Sequence, residues 1–178
     1  MVRIRFMFYH AKWGDGKWLD NAISIWTSLL SLLRLDLRLL GFSHEEVLIP
    51  DEEGSFENGV CFSSTTRGGS EGVRFAPAKE VLKHPERWSY IEVPVSAEDL
   101  EVAMVEAQKL IGLPYDYWGI VGFVFPIVKQ RPDEWYCSEV SHWFARLCKV
   151  VHKPRHMVSP LRKAQILIGM GYKLRKCA

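Results

Sequence analysis

From Val2 to Phe8 the chain alternates, with apolar Val2, Ile4, Phe6 and Phe8 set between Arg3, Arg5 and Met7. Strand side chains point to opposite faces in turn, so this period of two predicts a first strand with one apolar face. His10-Ala11-Lys12-Trp13-Gly14-Asp15-Gly16 reads as a turn, and a helix carrying Ala22, Ile23, Ile25 and Trp26 is expected from about Lys17. In the leucine-rich stretch Leu29 to Leu40, a helical count gathers Thr27, Ser31, Arg34 and Arg38 on one face, and Gly41 is placed to end the helix. The uncharged run from Asn21 to Leu33 is shorter than the roughly 20 residues a membrane span needs. A core or lid helix is therefore expected there, with a partner- or lipid-facing surface as the alternative.

Beyond Gly41 the period returns to two. Ser43 to Ile49 reads as a strand ended by Pro50, Asp51 to Gly59 as a polar turn and Val60 to Ser64 as its antiparallel partner. Gly68-Gly69 and Gly72 bracket a loop before a short strand at Val73-Arg74-Phe75. A brief helix is expected between Pro77 and Trp88, and another strand at Tyr90 to Val95. Ser96-Ala97-Glu98-Asp99 has the form of a capping box, opening a helix to Ile111 with Leu100, Ala103, Ala107, Leu110 and Ile111 inward and Gly112 past its end. An apolar piece from Trp118 to Val128 is interrupted by Pro126, and a polar loop from Gln130 to Glu134 follows. Val140, Trp143, Phe144, Leu147 and Val151 then recur at helical spacing. A last helix is expected from Ser159-Pro160 to about Met170, ahead of a basic tail. There is no repeat and no linker, so residues 1–178 are expected to form a single domain.

Composition changes this picture little. A chain of 178 residues that is 48% hydrophobic can bury a full core, and a formal charge of +2 spread along the sequence does not point to nucleic acid. The four cysteines, Cys61, Cys137, Cys148 and Cys177, stand far apart without a C-x-x-C pair, which fits neither a zinc ribbon nor a disulfide framework. A reducing compartment follows, and an amino terminus that mixes charge with apolar residues lacks the core of a secretion signal. A cytoplasmic location is the expectation, with release by lysis or another route left open.

The candidate chemistry centres on Glu134-Trp135-Tyr136-Cys137-Ser138-Glu139, where a polar loop gives way to an amphipathic helix. Most free cysteines are small buried hydrophobes. A thiol at a helix amino end is different, because the partial positive charge and unpaired N–H groups there favour thiolate and can hold an oxyanion. A cysteine nucleophile also needs a base and an orienting group. His44 and Glu46, two apart on one strand, project on the same face and supply both roles in principle. Taken singly, a strand histidine is usually a structural or surface residue and Glu46 a solvent-facing one. His142 is near Cys137 in sequence but points away by the helical count, so it ranks below His44. His44-Glu45-Glu46 also matches the H-x-E half of a zinc deaminase signature, but the P-C-x-x-C half is missing, so no metal is expected.

Gly112-Leu113-Pro114-Tyr115, followed some twenty residues later by Trp135-Tyr136-Cys137-Ser138-Glu139-Val140, is similar to the G-x-P-Y … D-C-S-G-hydrophobic signature of NlpC-type papain-like peptidases. Here Ser43-His44-x-Glu46 precedes the cysteine by about ninety residues. That order resembles the circularly permuted YaeF/YiiX-like branch of papain-like amidases in bacteria and phages. The resemblance implies a permuted papain-like α+β fold, in which a central antiparallel sheet carrying the histidine packs against the cysteine helix. It also implies amide hydrolysis through an acyl-enzyme, with Cys137 as nucleophile, His44 as base, Glu46 as third group and Tyr115 as a pocket residue assisting the oxyanion. Many relatives take the third group from the next strand, which here offers only Cys61, Ser63 or Ser64. The Leu29–Leu40 segment has no counterpart. No cofactor is implied.

The leading expectation is a thiol amidase or peptidase acting on a cell-wall peptide or another amide. The alternatives are a lipid-directed acyltransferase or thioesterase of the same superfamily, whose Cys-Glu-His run is absent here, and a binding module that keeps the fold without activity.

Overall fold

The computed structural model describes residues 1–10, 42–66, 71–121, 133–152 and 158–177. The helices expected from Lys17 to Leu40, the Gly68-Gly69 pair and the Pro126 interruption lie outside these residues. The amino-terminal alternation forms strand β1 (Val2–His10), and the expected hairpin forms β2 (Phe42–Ile49) and β3 (Val60–Thr65). β4 (Gly72–Pro77) leads into a single helical turn, α1 (Ala78–Val81), and then β5 (Trp88–Val95). All strand pairs are antiparallel, in the order β4-β3-β2-β1-β5-β6.

The sixth strand, β6 (Leu174–Lys176), was unforeseen, because the sequence there reads as a basic tail. Three residues are too few to display a period of two, and it is the backbone edge of β5, paired at Ser89, Tyr90 and Ile91, that makes them a strand.

Helix α2 (Ala97–Gln108) starts where the capping residues indicate, with the Ser96 hydroxyl accepting the Asp99 N–H at 3.0 Å. It stops three residues before Ile111. That residue, expected inward, is 42% exposed, since it lies in the turn beyond the helix, where helical spacing no longer sets its direction. Helices α3 (Tyr117–Val121), α4 (Cys137–Leu147) and α5 (Pro160–Gly169), with a 3-10 turn at Pro85–Arg87, complete the described elements.

Each face of the sheet has its own cluster. Ile4, Phe6, Phe8, Val47, Phe62, Ile91 and Val93 form the main core with Ala103 and Ala107 of α2, Val140 and Phe144 of α4, and Leu161 and Leu167 of α5. Met7, Leu48, Cys61 and Trp88 point the other way and meet Ala78, Val81 and Leu82. The protein is thus α+β, a six-stranded antiparallel sheet packed against helices. Among the described residues no helix is long and apolar enough to cross a membrane.

Candidate active site

His44 and Glu46 stand on the second of these faces, two residues apart as the alternation requires. Their side chains meet, His44 Nε2 lying 2.8 Å from Glu46 Oε1. Glu46 is fully buried and also receives both terminal nitrogens of Arg74 from β4, Nη2 at 2.7 Å and Nη1 at 3.1 Å. Burial alone would raise the Glu46 carboxyl. The hydrogen bond and charge of His44, together with Arg74, outweigh it and hold Glu46 below the usual carboxylate range.

An ionised carboxylate can only accept, so His44 donates from Nε2, which leaves Nδ1 as its basic nitrogen. Trp88 flanks the imidazole edge to face at 6.3 Å. The array opens on a cleft of about 340 Å³ whose lining includes Tyr9, Thr65, Lys83, His84 and Trp88.

Arg74 was not singled out from the sequence. Its signal was an arginine between Val73 and Phe75 on an apolar strand, aimed at whichever face holds an acid. The pairing has a consequence in acid. A carboxyl whose folded pKa lies below its ordinary 4.5 stabilises the fold fully above that value and progressively less as the pH falls through the folded one. Urea unfolding between pH 3 and 6 should therefore show stability falling on acidification in the native chain, and a flatter profile in Glu46→Gln. Parallel profiles would contradict the pairing.

Cys137 is the first residue of α4 and is buried. The start of this helix is pinned from three directions. Glu139 Oε2 accepts the Tyr136 N–H at 3.3 Å, the Ser138 hydroxyl donates to Val158 O at 2.6 Å, and the Ser141 hydroxyl donates to Glu45 Oε1. The loop that delivers the cysteine is pinned too, since Trp135 O accepts from the Ser64 hydroxyl at 2.5 Å.

Tyr115 is buried and bridges to Trp135, two residues ahead of the cysteine. Trp135 N donates to Pro114 O at 3.0 Å and Asp116 N to Trp135 O at 3.1 Å. On its other side the tyrosine loop is laced to β4 through Val73 N to Leu113 O and Gly112 N to Val73 O, each 2.9 Å. Only glycine fits at position 72, where φ is +93° and a Cβ would lie 2.2 Å from Leu113 O.

β2 divides the expected set. α4 lies against the face that carries Glu45, because Ser141 meets Glu45 and the ring of Phe144 lies 5.4 Å from that of Phe62, the partner of Val47. His44 and Glu46 point to the opposite face, and Cys137 does not line their cleft. The same contacts show that α4 runs in the direction of β2. One helical turn back from Ser141, about 6 Å, therefore carries Cys137 to the level of Ser43 and His44, two strand residues or about 6.6 Å back from Glu45. Nucleophile and base candidates thus share one end of the helix-on-strand layer. There the ladder slips, pairing Tyr9 with His44 but His10 with Phe42, so that β2 holds one extra residue.

The strand after β2 supplies no charged third group. The Ser63 hydroxyl donates to Glu45 O at 2.6 Å, Ser64 is engaged with Trp135, and burial pushes the Cys61 thiol far up, with the charge of Glu46 adding to it. Among the described residues no group of three or more His, Cys, Asp or Glu could hold a metal ion. Comparison of the chain with protein-family models, with curated proteins and with solved structures returned no match.

Proposed function

We propose that the chain is a thiol hydrolase of the permuted papain-like kind, cleaving an amide through Cys137, His44 and Glu46. The observation that carries this reading is the buried contact of His44 Nε2 with Glu46 at 2.8 Å, itself locked by Arg74. Such a pair fixes both the tautomer and the ring plane of an imidazole, which is what a general base requires.

The chemistry follows from the roles. His44 Nδ1 takes the proton of the Cys137 thiol, and the sulfur attacks the amide carbonyl. The oxyanion is held by N–H groups at the start of α4, assisted by the Tyr115 hydroxyl. The amine leaves with the proton from His44, and a water activated by the same imidazole hydrolyses the thioester. Glu46 stays ionised and steadies the imidazolium while Arg74 keeps it aimed. Because Cys137 lies on the α4 side of β2, attack requires sulfur and imidazole to meet round the strand end where the ladder slips, with the contacts of His44 to Glu46 and of Glu46 to Arg74 kept.

The direct test is to incubate the protein with peptidoglycan fragments and lipid amides, to follow amine release, and to weigh the protein after an acid quench. A peptidyl adduct on Cys137 supports the amidase, and a fatty acyl adduct supports the lipid-directed alternative. Release of amine with no adduct on Cys137 and undiminished in Cys137→Ser would refute the thiol mechanism.

A second reading is favoured by the exclusion of Cys137 from the cleft: a binding module that uses His44, Glu46 and Arg74 to hold a ligand. It requires that Cys137 be inert to iodoacetamide at neutral pH.

A further inference from the structure

The most unusual chemistry outside the proposed catalytic set is buried beneath the cysteine helix. Glu45 and Lys163 are both fully enclosed, with Lys163 Nζ 3.8 Å from Glu45 Oε1 and 3.4 Å from the Ser141 hydroxyl oxygen. Ser141 donates to the same Glu45 oxygen, so one serine ties β2, α4 and α5 together. Lys163 also lies 4.4 Å above the ring of Phe6. Glu45 Oε2 is buried without a hydrogen-bond partner among the described residues. Enclosing an acid and a base at a junction of apolar side chains is costly, and such groups are kept where they fix a geometry more than where they stabilise. Ser141 is one turn after Cys137, on the same side of α4.

We propose that Glu45 is a positioning residue for the Cys137 sulfur, acting through Ser141 and held in place by Lys163. This rests on Cys137 being the reactive thiol. When Glu45 is ionised, Lys163 draws it inward and it anchors the Ser141 hydroxyl, which fixes the first two turns of α4 on β2. When it is protonated the attraction to Lys163 is lost and the anchor slackens.

Among the described residues, the groups facing Glu45 are few. α5 contributes Lys163 and α4 contributes Ser141, with the Cys148 thiol, nearly two turns further on, acting on Lys163. β1 contributes the Phe6 ring, β3 the Ser63 hydroxyl, which donates to the Glu45 backbone carbonyl, and β2 the charge of neighbouring Glu46. Burial pushes Glu45 up to about 7, against the opposing pull of Lys163 and Ser141, so the two states of the anchor exchange near neutrality.

The test is the alkylation rate of Cys137 by iodoacetamide, read at that cysteine by peptide mass, from pH 5 to 9 in the native chain and in Glu45→Gln. Taking the ratio of the two rates cancels the titration of the thiol and of His44, which both proteins share. The ratio should be flat below about pH 6 and rise by about threefold or more across pH 7, as the native anchor engages and the neutral glutamine does not follow. A ratio flat across the range overturns the proposal. If Glu45→Gln loses its native circular dichroism, Ser141→Ala is compared instead, and the same step is expected because the link to α4 is cut while the pair with Lys163 stays. A native Cys137 that never reacts overturns both this proposal and the thiol mechanism, whereas a reactive Cys137 with a flat ratio overturns the positioning alone.

Discussion

Cys137→Ala and His44→Ala are each expected to lower kcat/KM on an amide substrate by about a hundredfold or more, the scale set by loss of a nucleophile or a general base. The two losses should not add, because sulfur and imidazole act in one step and either is useless without the other. A double variant no worse than the singles is therefore part of the expectation. Glu46→Gln should cost less, since an amide oxygen still accepts the His44 Nε2–H but no longer offsets the charge of the imidazolium. The pattern Cys137 ≈ His44 > Glu46 is specific to the proposed roles. Full activity in His44→Ala would end the assignment. Activity lost in His44→Ala but kept in Cys137→Ala would move the chemistry into the cleft that His44, Glu46 and Arg74 line.

Lys163→Met should destabilise the protein in a strongly pH-dependent way. Burial lowers the Lys163 ammonium to about 8, with Glu45 pulling it back up, so between about pH 7 and 8 the native pair is ionised on both sides. Methionine fills a similar volume but leaves the Glu45 carboxylate uncompensated in an apolar setting. The folded variant answers by holding a proton on Glu45. Below about pH 6 the native protein holds that proton as well, and the two differ little. Between about pH 7 and 8 the native Glu45 has released it and the variant has not, so the deficit grows by about 1.4 kcal/mol per pH unit, and release of the Lys163 proton steepens the growth above pH 8. It is bounded by the roughly 3–5 kcal/mol that breaking a buried pair costs. Replacing both partners, in Glu45→Leu with Lys163→Met, removes the charges together and should be neutral or stabilising by about 1–4 kcal/mol at pH 7.5. Urea titrations at pH 5.5, 7 and 8.5 measure all three proteins. A deficit in Lys163→Met that is constant with pH would show that the loss is one of packing and not of charge. The contrast with Glu46 lies in the sign of the shift: Glu46 stabilises the fold through ionisation, whereas burial favours the neutral form of Glu45 up to about pH 7, and the two lie on opposite faces of one strand.

Much of the framework was legible along the chain. The period of two at Val2–Phe8 and at Ser43–Ile49, the Ser96 cap, and the apolar spacing from Val140 to Leu147 all correspond to elements of the structure, because each is decided by neighbours a few residues away, whereas Val151 lies past the end of its helix. The same locality placed His44 and Glu46 on one face, and their 2.8 Å contact follows from it. Alternation is symmetric, however. It states which residues share a side of β2 and says nothing about which side a helix covers.

That choice was made by tertiary packing. α4 settled on the Glu45 face, where Phe144 meets Phe62, and so the acid that reads as one more polar strand residue became the enclosed partner of Ser141, 96 positions away, and of Lys163. Arg74 reached Glu46 through the register of β4 on β3, and β6 exists because β5 had an edge to fill. Local sequence determined the elements and the shared direction of side chains, since backbone periodicity is a near-neighbour property. Which faces met, and therefore which charges were buried together, depended on contacts between distant segments that no window of the chain contains.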